Sequence, residues 1–591
     1  MSPLAKALRL WHTVRWLKPV QVYGRAWFRL SRPRPDLRPA PRVRALAGHW
    51  VEPARRSPSM VSATQLRFLG EERDLDAHGW DDTRLAKLWR YNQHYFDDLA
   101  AFGAAERTAW HRALIARWMR ECPAGEGTAW EPYPTSLRVV NWIKWLRAGN
   151  EPVEGMLDSL AAQVRFLTKR LEWHLLGNHL FVNAKALVIA GVFFEGDEAA
   201  AWRERGWRIL RAEVPEQILA DGGQFERSPM YHALAVEDML DLANAMGAYP
   251  HICRAEDESL VTARIAGMLA FLRAVSHPDG EVAFFNDSAT GVAPSLAELE
   301  SYASKLVHGQ ASQAEHGQAS HGSEHGQASH ARGLPVHTRP VLALPDSGFV
   351  RVTHPSTVTA AAAVAILDVG PVGPDYLPGH AHADTLSFEL SIGAHRVLVN
   401  SGTSLYGVGP ERLRQRGTAA HNTVTVDGAN SSEVWGGFRV ARRAGARLLD
   451  ASTLPDGTIT VTAEHDGYRG RAPGAGDHRR EWRFAANATL TVNDLLPADG
   501  ARESHWHFAP GFEPVVDATG RVLTASAHGI TVRLAAEGAA WRVTRSTYHP
   551  RFGVSEPNWK AIARFEGQAA SVRIEWQPCT SSSSPTTSPL K

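Results

Sequence analysis

Cysteine is scarce: Cys122, Cys253 and Cys579 are the three in 591 residues. So few and so scattered, they exclude a disulfide framework and a Cys-rich zinc site, and a reducing compartment is allowed. Long apolar runs are missing as well. No window approaches the ~20 apolar residues of a membrane span, so no transmembrane segment is expected. The opening stretch, residues 1–30, is broken by Arg9, Arg15, Lys18, Arg25 and Arg29, which deprives it of the apolar core of a secretory signal. The default localisation is therefore cytoplasmic, with periplasmic as the alternative. Excess charge of one sign is also absent: 64 Lys and Arg face 62 Asp and Glu, a net +2. That balance removes the global electrostatic case for a nucleic-acid binder.

What remains is an ordinary folded composition, 44% hydrophobic and 21% charged. The length exceeds the roughly 250–300 residues at which single cores stop growing, so more than one domain is required. Residues 1–60 hold 13 Lys or Arg against Asp36 and Glu52 alone. They read as a basic arm, either solvated or suited to an anionic surface or polymer. Over 61–305 the apolar spacing is helical, as in RTAWHRALIARWMREC and LFVNAKALVIAGVFF, with turn residues such as Pro123 and Gly149 between the stripes. Consecutive amphipathic helices must bury their stripes against one another, as a bundle, solenoid or toroid. Residues 306–335 include three copies of HGQAS and few large apolar side chains, and read as a low-complexity, His-rich linker or loop.

From 336 to 578 the period changes to two. TLSFELSIGAHRVLV predicts a hairpin turning at Gly393 and Ala394, and runs such as TITVTAEH, ITVRLAAE and ASVRIEW extend the pattern into an antiparallel sandwich. Residues 579–591 read as a polar, disordered tail. Helices first and strands second argue for two segregated domains with a cleft at their junction.

Four segments carry chemistry-bearing side chains. In LLGNHLFVNAKAL, Asn178 and His179 lie near a helix start, where Asn178 also suits an N-cap. In DGGQFERSPMYH, Glu226, Arg227, Tyr231 and His232 surround Ser228 and Pro229, a reasonable N-cap and first-turn pair. In LPGHAHADTLSFEL, His380, His382 and Asp384 alternate and so project to one face, which suits metal binding or proton transfer. His421 precedes a strand in AAHNTVTVDG. Twenty tryptophans, among them Trp89, Trp118, Trp142 and Trp173, suit either sugar stacking or helix packing.

Taken together, WRYNQHYFDDL, EPYPTSLRVVNWIKWL, GNHLFVNAKAL, GGQFERSPMYH, FNDSA, GHAHADTLSFEL, VNSGTSLYG and AHNTVTVDG, in this order over about residues 80–470, resemble the heparinase II/III-like polysaccharide lyases. The resemblance implies an incomplete (α/α) toroid followed by an antiparallel β-sandwich. It also implies β-elimination at a uronic acid: a base removes the C5 proton, a neutralising group stabilises the carboxylate as charge develops, and an acid protonates the leaving O4. By motif, Asn178 is the neutraliser with His179 beside it, Tyr231 the general acid and also a candidate base, and His380 the partner base or leaving-group residue. Glu226, Arg227, Tyr91, Asn92 and His94 become candidates for sugar binding. A structural divalent metal, zinc or calcium, is implied at His382, Asn400 and His421. Asn400 stands where the family commonly has Asp, so the site loses one negative ligand and binds its metal less tightly.

The expected partner is thus an acidic, uronate-containing polysaccharide. Heparin itself is disfavoured, because a strongly sulfated polymer calls for a basic cleft. Two further readings stay open, a uronate C5 epimerase and a noncatalytic polysaccharide-binding or export-associated protein. The oligomeric state is left open too.

Overall fold

The computed structural model describes residues 2–318, 339–355 and 361–578. The chain starts with two helices, α1 (Pro3–Val14) and α2 (Pro19–Leu30), each with a proline in its first turn, where the missing N–H leaves no bond unmade. An extended stretch then threads along the helical domain. Arg44 donates to the carbonyls of Val192 and Phe194, and the Val51 N–H donates to Asn244 Oδ1. Residues 1–60 are therefore anchored along their length, not a free solvated arm.

The helical domain is built mainly from Thr108–Glu121, Pro132–Arg147, Met156–Thr168, Gly177–Phe193, Gly196–Gln217, Pro229–Ala248, Ala255–Ala274 and Leu296–Gln318. Gly177–Phe193 is apolar on nearly every side and is buried over almost its whole length, which requires neighbours all round it. Most tryptophans of this domain serve its packing: Trp89, Trp118, Trp130, Trp142 and Trp145 are buried, and Trp173 is exposed. The last helix carries past the expected boundary at 305 to Gln318, through Ala, Gln and Glu residues of good helix propensity. The rest of the His-rich tract and the 579–591 tail lie outside the described residues. Among those residues no helix is long and apolar enough to cross a membrane.

The second domain is antiparallel throughout its strand pairs. A five-stranded meander runs Val341–Leu344, Phe349–His354, Ala363–Asp368, Phe388–Ile392 and His395–Leu398, in chain order. Beyond it lie an eight-stranded and a four-stranded sheet. Strands such as His478–Ala485 alternate buried and open positions, as one-sided sheets do. Ala363–Asp368 is buried at every position. Its Val364 and Ile366 enter the helical core while Ala363, Ala365 and Leu367 enter the sandwich core, so the meander is the wall shared by both domains.

Candidate active site

The site gathers at that wall. Leu176 and Gly177 both have left-handed φ, 65° and 54°, and this kink starts the helix that carries Asn178 and His179 in its first turn. Asn178 is thus not the N-cap. Ser228 is one, as expected: its Oγ accepts from the Tyr231 N–H at 3.2 Å and fixes the start of Pro229–Ala248. The loop around Asn286 and Asp287 closes the helical side, and the coil 378–387 brings in His380, His382 and Asp384.

Asp287 organises these groups. Its carboxylate receives a fork from Arg412, with Nη2 at 2.6 Å from Oδ2, and accepts from His380 Nδ1 at 3.0 Å and His382 Nε2 at 2.8 Å. Burial alone would raise this carboxyl, yet Arg412 and the two imidazoles hold it well below the usual carboxylate range. With Nδ1–H donated to Asp287, the His380 ring is held with Nε2 turned away from that carboxylate. The imidazole stacks on the Tyr231 ring at a centroid distance of 3.9 Å, and its Nε2 lies 3.7 Å from Glu226 Oε2.

Tyr231 Oη is 3.0 Å from Tyr406 Oη. Burial, followed by the adjoining Tyr406, pushes the Tyr231 phenol well above its ordinary value, so it stays protonated. Asn178 is half-buried; its backbone N–H donates to Glu226 Oε1 at 3.4 Å. The His179 ring lies tilted against Tyr133 and contacts Glu172, which raises the imidazole against the opposing effect of burial.

Asn178, Tyr231, His380, His179 and Glu226 therefore converge. The other sugar-binding candidates are otherwise engaged. Arg227 donates to the carbonyls of Ser347 and Asp346, tying the two domains. His94 is fully buried, stacks on Trp80 and accepts from Trp118 Nε1 at 3.2 Å, so it belongs to the helical core. Tyr91 donates to Glu131, and the Asn92 carboxamide donates back to the Leu88 carbonyl. Tyr406, Asp287 and Arg412 were not foreseen, although the first two lie within the VNSGTSLYG and FNDSA blocks.

At the expected metal site, ligand atoms of His382, Asp384 and His421 lie within 4.8 Å of one another, all buried. Asn400 is occupied elsewhere, accepting from the Asn422 N–H and donating to Ser387 Oγ. The carboxylate beside the two imidazoles is thus Asp384. His421 Nδ1 is committed to the Gly417 carbonyl and His382 Nε2 to Asp287, which turns His382 Nδ1 and His421 Nε2 towards each other at 3.1 Å. Burial lowers both imidazoles, His421 to about 4, and so opposes the extra proton that would separate two facing lone pairs. A cation would relieve that conflict, and the outer partners on each ring are of the kind that orient metal-binding histidines.

The chain matches the family model described as Heparinase II/III N-terminus over residues 80–308 and that described as Heparinase II/III-like, C-terminal over 336–577. It is 30% identical over 339 residues to a heparin-sulfate lyase of Bacteroides stercoris, covering 56% of this chain and 45% of that protein. It is 24% identical over 433 residues to FtsZ-localized protein C of Caulobacter vibrioides, covering 71% and 67%. The chain spans about half the length of the heparin-sulfate lyases it matches. Among solved structures, heparinase III superposes with a TM-score of 0.63 at 18% identity, covering 87% of this chain and 80% of that one. Heparan sulfate lyase HepC from Pedobacter heparinus gives 0.55 at 20% identity, covering 98% and 89%. These likenesses establish the fold, an incomplete toroid followed by an antiparallel sandwich.

Proposed function

Since this chain belongs to the heparinase II/III-like family, we propose that it cleaves a uronic-acid-containing polysaccharide by β-elimination. The observation that carries the reading is the stacked pair Tyr231 and His380, one a protonated phenol and the other an imidazole held by Asp287 with Nε2 free. In this reading His380 Nε2 takes the C5 proton. Tyr231, which burial keeps protonated, donates to O4 as it departs. Asn178 neutralises the substrate carboxylate with a neutral donor; among the described residues its carboxamide makes no hydrogen bond within the protein.

The cations around the site are committed to carboxylates or carbonyls: Arg412 to Asp287, Arg227 to the Ser347 and Asp346 carbonyls, Arg416 to the Ala381 carbonyl. This favours a carboxylate polymer over a heavily sulfated one. His382, Asp384 and His421 would hold a divalent cation, and two imidazoles with one carboxylate suit zinc better than calcium. Bound there, it would brace the cleft wall; the proton transfers fall to Tyr231 and His380.

Ultraviolet absorbance of the protein with a panel of uronate polymers tests the reading, because elimination alone leaves a conjugated C4–C5 double bond. A rising signal lost in Tyr231→Phe supports a lyase. No signal, with C5 protons exchanging for solvent deuterium, replaces it with an epimerase; neither signal replaces it with a binding role.

A further inference from the structure

A surface helix of a soluble protein ordinarily turns its apolar stripe inward and its polar face to water. Helices α1 and α2 each also leave an apolar stripe in water. Helix α1 is attached through polar side chains: Arg9 pairs with Glu433 at 2.8 Å, and Thr13 Oγ1 accepts from Trp435 Nε1 at 3.1 Å. Its opposite face carries Leu4, Leu8 and Trp11 at helical spacing, with Leu4 70% and Trp11 59% exposed. Helix α2 is attached through Gln21, whose Nε2 donates to the Tyr376 carbonyl, through Gly24, which lies against the His174 backbone, and through Phe28, whose ring packs on His174 and beneath Arg170. Outward it presents Val22, Tyr23, Trp27 and Leu30, with Trp27 69% and Leu30 79% exposed. Single exposed apolar residues are commonplace, but an apolar stripe on each of two consecutive helices marks an interaction surface.

The charge around these stripes identifies what covers them. Eight Lys or Arg precede the first acidic residue, Asp36. Lys6, Arg15, Arg25, Arg29, Arg32 and Arg34 are exposed. A second copy of the chain would bring this cationic surface against itself. A soluble polyanion would be met by the cations and would leave leucine and valine in water. Apolar side chains that include tryptophan, flanked by Lys and Arg, are the composition of a helix lying in the boundary between anionic headgroups and acyl chains.

We propose that α1 and α2 form a docking surface for an anionic lipid bilayer, with Leu4, Leu8, Trp11, Val22, Trp27 and Leu30 entering the headgroup boundary. The inference is independent of the reaction in the cleft. Because Lys18 lies 3.8 Å over the Tyr376 ring, in the segment that leads to His380, docking holds the cleft close to the lipid surface.

Flotation of the full chain with vesicles of phosphatidylcholine, with and without phosphatidylglycerol, tests this. The wild type is expected to float with the anionic vesicles and to remain below with neutral ones, with binding falling as salt rises. Trp11→Glu combined with Trp27→Glu should reduce the floated fraction about tenfold or more, and Arg25→Gln with Arg29→Gln should weaken it more at low salt than at high. Trp27→Phe should retain it. All these side chains are exposed, so an unchanged thermal midpoint shows that each variant is folded. Failure of the wild type to float, or flotation indifferent to Trp11→Glu and Trp27→Glu, overturns the proposal. A wild-type dimer that these two changes dissolve also overturns it in favour of a second copy, and retention on an acidic polysaccharide without flotation overturns it in favour of a polymer.

Discussion

The phenol oxygens of Tyr231 and Tyr406 lie 3.0 Å apart, one from a helix of the toroid and the other from a loop of the sandwich domain. Only one of the two can donate in that bond, so Tyr406 holds the Tyr231 oxygen in place as acceptor or donor. Tyr231→Phe is expected to lower elimination by about 10²–10⁴-fold, the usual value of a positioned proton donor. Tyr406→Phe, which leaves the donor in place but unguided, is expected to lower it by about tenfold. Initial rates of double-bond formation, with circular dichroism as the fold control, give both values.

Asp287 and Arg412 form a fully buried ion pair. Removing one partner of such a pair leaves a charge without compensation and costs about 3–5 kcal/mol. Asp287→Asn should therefore lower the thermal midpoint markedly and also free His380. Asp287→Asn combined with Arg412→Gln should recover part of the stability and none of the activity. Denaturant unfolding and rate measurements on the single and double variants separate the two effects.

Acid should destabilise the protein before ion-paired carboxylates such as Asp287 titrate. Burial pushes His232 down to about 4, and burial with Lys560 and Arg542 nearby pushes His505 to about 3. In the unfolded chain such imidazoles titrate near about 6.5, so the unfolded state binds more protons as pH drops. Their contribution is fully present above about pH 6.5 and is lost as pH falls towards the native values. The melting midpoint should decline steadily from about pH 6.5 to about pH 4, whereas a fold governed by Asp287-type carboxylates would hold until lower pH.

Metal content should follow Asp384 and not Asn400. Dialysed Asp384→Asn is expected to lose bound zinc relative to wild type, while Asn400→Ala retains it, as read by elemental analysis. Chelator treatment of the wild type should lower its melting midpoint and leave that of Asp384→Asn unmoved.

Periodicity made the order of domains legible, because period 3.6 and period 2 are properties of local sequence. The hairpin turning at Gly393 was readable for the same reason, although its first strand begins at Phe388, after Leu386 has adopted a left-handed φ of 62°. Convergence was less legible. Asp287 and Arg412 are far apart in the chain, and only tertiary packing brings a lone Asp onto an Arg. His94 looked like a sugar ligand in its aromatic segment, but the ring faces Trp80 and the core. Asn400 illustrates another limit: its motif position implied a ligand, while the carboxylate that lies beside His382 and His421 is that of Asp384. The basic arm showed its charge in the sequence, but not that an apolar stripe on each of its helices would face away from the protein.

Asp287 belongs to the helical half of the chain, and its carboxylate is met by His380, His382 and Arg412 from the other half. Neither half encloses a working site alone. The two domains are therefore a single unit of inheritance: a chimera joining the toroid of one relative to the sandwich of another must match at residues 287 and 412, or the carboxylate that holds His380 and His382 loses its own partner.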